Sequence, residues 1–277
     1  MQSYTAKGKE YLIAFPKKRL LPFYAMMSLL IAIYAIYKLL MGIELTFLQV
    51  VQSFLFGGTV ISNGWYLQVQ LLCYVVFYAV FRLGKKDSTC VCVTTLLVMM
   101  YVIASMLFNQ SMTWHVSTPL FFAGLWYAYL KTKIDCFLTD NIRWMGALLA
   151  SGMLVLTMLL GSKFVKHVYL DAVFLTLSEL AFVSCVLLVI SRVRIDCRLT
   201  RMLGAISLEV YVMQGMCLSF FHGRYVNIRN PYLYVLAATV STIVLAIIVH
   251  PIIKRIFLLC GGTRGESKQK ETSKVSE

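Results

Sequence analysis

Apolar residues run along this chain in long, nearly unbroken stretches, and polar residues gather in short joints between them. Eight such stretches stand out, at about 20–42, 64–82, 90–108, 117–130, 144–161, 172–191, 202–221 and 232–259. A helix needs roughly 20 mainly apolar residues to cross the hydrocarbon of a bilayer, and most of the eight reach that length. They are too long and too continuous for the strands of a soluble sheet. The fourth is short, which suits a tilted, re-entrant or bundle-buried helix. The pattern predicts an all-α fold: a polytopic integral membrane helical bundle of about eight transmembrane helices, forming one domain over residues 1–260 without an internal repeat.

Composition agrees, with 60% of the 277 residues hydrophobic and 14% charged, too little polarity to cover a soluble domain of this length. The net charge of +14 would suit nucleic acid, but the basic residues fall in clusters between apolar runs. With the N-terminus inside, the joints at 7–19, 82–86, 131–143 and 192–201, and the chain after 254, put their Lys and Arg on one side. Lys38, Lys163, Lys166, Arg224 and Arg229 fall on the other. This positive-inside asymmetry predicts a plasma-membrane protein with both termini cytoplasmic, and no nucleic-acid partner. The N-terminal residues flow into the first apolar stretch without a small-residue cleavage site, unlike a secretory signal. Residues 261–277, polar and without aromatics, are expected to form a disordered cytoplasmic tail.

Polar residues inside apolar stretches mark candidate chemistry. In 202–221, Ser207, Tyr211 and Gln214 share one helical side, while Glu209 lies about 160° from Tyr211. At 1.5 Å per residue Glu209 would sit roughly 10 Å from the charged end of a continuous helix. A carboxylate in lipid costs on the order of 2.5–3.5 kcal/mol, so this helix is expected to face a polar cavity inside the bundle. The plainer alternative is that Ser, Tyr and Gln join helices and Glu209 pairs with a basic group. In 64–82, Tyr66, Gln70, Tyr74 and Phe77 form a stripe running inward from Trp65 at the outer interface. Trp114 and His115 fall at the same outer boundary, and His167 and His222 share that side. A histidine beside two tryptophans at a cavity mouth can move protons or hold a sugar; the alternative is an ordinary surface histidine.

On the inner side, FPKKRLLP brings Lys17, Lys18 and Arg19 to the membrane surface, either to touch anionic lipid or to bind the phosphates of a donor such as a coenzyme A thioester. The eight cysteines lie within stretches or on the inner side, so disulfides are not expected. Cys90-Val-Cys92 has no second pair at zinc spacing, and no metal is expected. Phosphate-loop, dinucleotide-binding, HExxH and GxSxG motifs do not occur.

Four segments follow one another along the chain: KGKEYLIAFPKKRLLPFY, FLFGGTVISNGWYLQVQLLCYVVFYAVF, WHVSTPLFFAGLWYAYLKTKI with Gly124 inside, and LGAISLEVYVMQ. Together they resemble the membrane-bound acyltransferase family 3, especially its polysaccharide O-acetyltransferase members. The resemblance implies transfer of an acyl group, usually acetyl, from a cytoplasmic donor (acetyl-CoA or a similar acyl-CoA) to a hydroxyl of an extracytoplasmic glycan. On that reading His115 and Glu209 are the catalytic candidates and Lys18 and Arg19 the donor-binding ones. Trp65, Tyr66, Gln70, Trp114, Ser207, Tyr211 and Gln214 are the substrate-binding candidates.

Three departures accompany the resemblance. The family has ten core helices, and the likeness starts at its third. The family's proposed catalytic histidine follows an arginine by eleven positions, whereas Ala104, Leu156, Tyr211 and Thr239 stand eleven before His115, His167, His222 and His250. The late motif often ends in His where this chain has Gln214. These departures leave room for an accessory or non-catalytic subunit, or for an enzyme completed by a partner chain. A carrier or flippase for an envelope precursor is a further alternative, for which His250-Pro251 is a helix interruption without an evident mate.

Overall fold

A computed structural model describes residues 2–56, 60–61, 64–108, 113–164, 168–193, 197–222 and 226–259. The expected tail at 261–277 lies outside these residues, as do Lys166, His167, Arg194, Arg224 and Cys260. The chain opens with α1 (Gln2–Phe15), a π-helical turn (Pro16–Leu20), α2 (Leu21–Leu40) and α3 (Phe47–Phe56). It continues with α4 (Gly64–Leu83), α5 (Asp87–Leu107), α6 (Thr113–Val116) and α7 (Pro119–Phe137). Then come α8 (Asn141–Phe164), α9 (Val168–Arg192), α10 (Arg198–Ala205), α11 (Ser207–Phe221) and α12 (Pro231–Leu259). No strand occurs among the described residues beyond a single bridge, His222 to Asn227.

Six helical runs among the described residues are long and apolar enough to cross a membrane: Gly8–Leu40, Gly64–Leu83, Asp87–Leu107, Asn141–Phe164, Tyr169–Arg192 and Pro231–Ile256. The bent pair α10–α11 makes a seventh if it counts as one span. The expected fourth span is α7, whose apolar part gives way to Lys131, Lys133 and Asp135 before its end. Leu149, Met153 and Leu156 on α8, Phe182 on α9, and Val240, Val244 and Ile248 on α12 point outward. Exposed apolar surface costs about 25 cal/mol per Å² in water, and hydrocarbon removes that cost. The chain is an all-α, multi-pass membrane protein.

Local chemistry explains two elements that hydropathy leaves out. The loop after α2 turns at Gly42, whose φ of 69° favours glycine, and Ile43 N–H closes the turn on the Lys38 carbonyl at 2.9 Å. Thr46 and Gln49 then form a reciprocal capping box: Gln49 N–H donates to Thr46 Oγ1 at 3.3 Å, and Thr46 N–H to Gln49 Oε1 at 3.1 Å. That cap starts α3, which packs on α2.

The described residues divide into two compact units, one drawn from 2–12 and 72–193 and the other from 13–71 and 197–259. In the first, α8 and α9 pack as an antiparallel hairpin, α5 packs on α6 and α7, and α9 packs on α6 and α7. At Gly161 a Cβ would lie 2.9 Å from the Phe174 ring, so the absent side chain is what lets α8 approach α9 there. In the second unit, α12 packs on α11 and α2. Met27, Leu30, Ile31 and Tyr34 of α2 are buried, as are Val212, Met213 and Met216 of α11 and Ala246, Val249 and Ile253 of α12. The Tyr34 hydroxyl donates to the Val212 carbonyl at 2.6 Å, tying α2 to α11.

Candidate active site

The second unit holds a buried pairing of ionisable groups within its apolar helices. The stretch 202–221 is not one helix: α10 and α11 meet at a 67° bend. Ile206, with φ −103° and ψ 7°, separates them and is itself buried. A glycine at 204, a poor helix former, precedes the break, and the Ser207 hydroxyl donates back to the Gly204 carbonyl at 3.1 Å. Glu209 therefore stands in the first turn of α11 rather than deep in a continuous span. The unpaired backbone N–H groups at a helix start carry partial positive charge, which favours a carboxylate there.

Glu209 is only 1% exposed. Its Oε1 lies 2.8 Å from Nδ1 of His250 on α12. An ionised carboxylate only accepts, so the bond is donated by Nδ1–H, which is the tautomer whose Nε2 carries the basic lone pair. His250 sits immediately before Pro251, which lacks the N–H that would bond the Ile247 carbonyl, so the helix ladder is interrupted beside the imidazole.

The other face of α11 behaves differently from the expectation of a wholly internal helix. Val212, Met213 and Met216 on the glutamate side are buried, whereas Ser207 and Gln214 are exposed. Of the Ser-Tyr-Gln side, Tyr211 is the residue that meets another helix. Its ring centroid lies 4.9 Å from that of Tyr66 on α4, as expected if the polar stripes of these two helices meet. Trp65 packs edge-on against Tyr66 at 6.0 Å, and Gln70 is half-buried one turn further along α4. Lys18 is exposed and Arg19 half-buried in the π-helical turn, a local geometry common at functional sites.

His115 and Trp114 belong to the first unit, on the short α6. Trp114 is half-buried, and its carbonyl accepts from the Thr118 hydroxyl at 2.6 Å. His115 is not on the surface: it is 5% exposed, and its Nδ1 has no partner among the described residues. Burial holds its imidazole below the ordinary pKa of 6.5, so it is neutral. Two further buried polar atoms lack partners among the described residues, Thr94 Oγ1 on α5 and Glu179 Oε2 on α9. The Thr176 hydroxyl donates to the Val116 carbonyl at 3.1 Å, fastening the residue after His115 to α9 one turn before Glu179.

Sequence reasoning treats His250 as half of a helix interruption and passes over Glu179. The signal for both is the same, an ionisable residue within an apolar run. No three His, Cys, Asp or Glu gather as a metal site would need among the described residues.

The fold and this site define a polytopic helical membrane protein with a buried carboxylate–imidazole pair. A family model for the acyltransferase domain (Acyl_transf_3) matches residues 15–250. The chain belongs to acyltransferase family 3. Comparison with curated proteins and with solved structures returns no match.

Proposed function

We propose that this protein is a membrane O-acyltransferase that takes an acyl group, foremost acetyl, from a cytoplasmic thioester such as acetyl-CoA. It places that group on a hydroxyl of an extracytoplasmic glycan, from the plasma membrane and with both termini in the cytoplasm. The observation that carries the reading is the 2.8 Å contact between Glu209 and His250, in a chain of an acyltransferase family. Acyl transfer to a hydroxyl needs a base, and an imidazole whose Nδ1 is held by a buried carboxylate is oriented to serve as one.

His250 Nε2 takes the acceptor hydroxyl proton as the oxygen attacks the thioester carbonyl. Glu209 stabilises the imidazolium that forms, and the proton then passes to the departing thiolate. Lys18 and Arg19 hold the donor phosphates. Tyr211 and Ser207 donate hydrogen bonds, and Trp65, Tyr66, Gln70 and Gln214 contact the acceptor sugar. His115 is the alternative base.

The test is acetyl ester on surface polysaccharide in cells expressing the chain, with His250→Ala and Glu209→Gln beside it. General-base loss is expected to lower transfer by about 10²–10⁴-fold for His250→Ala. Unchanged transfer in both variants sinks the assignment of the base. A chain that binds the thioester donor but transfers nothing, even when a partner chain is supplied, is an accessory subunit instead.

A further inference from the structure

Between α7, α8 and α9 the first unit encloses a groove of about 780 Å³, at the end that carries Lys131 and Arg192. Its walls are Ile134, Leu138, Leu187, Leu188 and Ile190. Besides Tyr127, three hydroxyl side chains line it, and each of these three already donates to a carbonyl. Thr139 donates to the Cys136 carbonyl at 2.7 Å, Ser184 to Leu180 at 2.8 Å and Ser191 to Leu188 at 2.6 Å. The groove is apolar in effect along its length.

Its mouth is different. Lys131 is paired with Asp135, so among the described residues the charge there without an acidic partner is Arg192. One guanidinium nitrogen, Nη2, donates to the Leu138 and Thr139 carbonyls at 2.9 and 3.1 Å. The guanidinium carbon stands 5.7 Å from the ring centre of Trp144, whose Nε1 donates to the Leu188 carbonyl at 2.9 Å. These contacts fix the guanidinium plane while Nε and Nη1 keep their donors. Nε and Nη1 lie on different edges of the fixed guanidinium, so each offers a phosphate oxygen a single charge-assisted hydrogen bond.

We propose that this groove is a binding site for an anionic phospholipid, with its phosphate on Arg192 and one acyl chain lying along the α7–α9 wall. The pairing of one net cation with an apolar slot is what selects this occupant. Basic pockets between membrane helices recognise lipid head groups in this way. A soluble phosphate compound would match the mouth and leave the apolar wall without a partner.

The experiment uses the full chain in lipid nanodiscs with Trp144 as reporter, carrying Trp65→Phe, Trp114→Phe and Trp126→Phe. Brominated phosphatidylglycerol is expected to quench Trp144 at about fivefold lower mole fraction than brominated phosphatidylcholine, and Arg192→Gln is expected to erase that preference. Native mass spectrometry of the otherwise unaltered protein supplies the same comparison if the triple variant does not fold. It should retain phosphatidylglycerol over phosphatidylcholine, and Arg192→Gln should retain both alike. Equal quenching and equal retention of the two lipids overturn the proposal. So does release of bound phosphatidylglycerol by inorganic phosphate or coenzyme A, which would make the occupant a soluble phosphate compound.

Discussion

In the second unit the buried carboxylate of Glu209 meets the His250 imidazole at 2.8 Å. In the first, Glu179 Oε2, His115 Nδ1 and Thr94 Oγ1 are buried with no partner among the described residues. Both arrangements place acids and histidines among apolar helices, yet they stand at opposite ends of one energetic scale. A buried polar atom left without a hydrogen bond costs about 1–3 kcal/mol, whereas a satisfied one costs little. The α11–α12 pair is thus built into the packing of its helices.

The largest effect expected from this contrast is at His250. Replacing it with Ala leaves the Glu209 carboxylate buried without its imidazole, and breaking such a pair costs about 3–5 kcal/mol. The double variant Glu209→Met with His250→Leu should recover most of that loss in detergent unfolding curves while acyl transfer stays absent. Single and double variants of equal stability would show that the two side chains do not act as a pair.

A smaller effect of opposite sign is expected at Glu179. Glu179→Leu should raise stability by about 1–3 kcal/mol, because it removes an orphaned polar atom. Glu209→Leu, measured in the same way, should lower it. If both substitutions shift stability in the same direction, the distinction between the two units fails.

The smallest effect is a pH slope from His115. Its folded-state pKa lies below 6.5, so between the two values the unfolded chain binds more protons than the folded one. Stability therefore falls as pH drops below about 6.5 and levels off beneath the folded-state value. Unfolding of wild type and His115→Gln across that range should show a shallower slope in the variant. Parallel curves would mean that His115 is solvated in the membrane.

The helices that hydropathy predicts are those whose signal is local. The apolar stretches at 64–82, 90–108, 144–161, 172–191 and 232–259 each lie within a helix of the structure to within a residue or so. Helix α3 escapes a search for membrane spans because ten residues are too few, although Thr46 and Gln49 spell its start. Hydropathy does not announce the break at Ile206: Gly204 weakens the helix there, but Ile206 is an ordinary apolar residue in the sequence and is distinguished by its burial in the fold.

Of the candidate site, Glu209 is legible as a charge within an apolar run. Its partner is not, since His250 lies 41 positions away and neither helix alone encodes which helices pack together. The neighbouring tryptophan suggests an outer-surface position for His115. Burial comes instead from the packing of the four-residue α6 on α5 and α9, a tertiary fact without a periodic signature.

The bend at Ile206 also bears on how the protein enters a bilayer. Helix α11 has 15 residues, about 22 Å at 1.5 Å per residue, against roughly 30 Å of hydrocarbon. Released from the ribosome by itself, it is too short to be threaded across as an independent segment. Helix α12, with 29 residues, has length to spare. The two are best delivered to the insertion machinery as a hairpin, with α12 drawing α11 in behind it. A nascent chain that stops before Pro231 would then leave α11 stranded at the head groups.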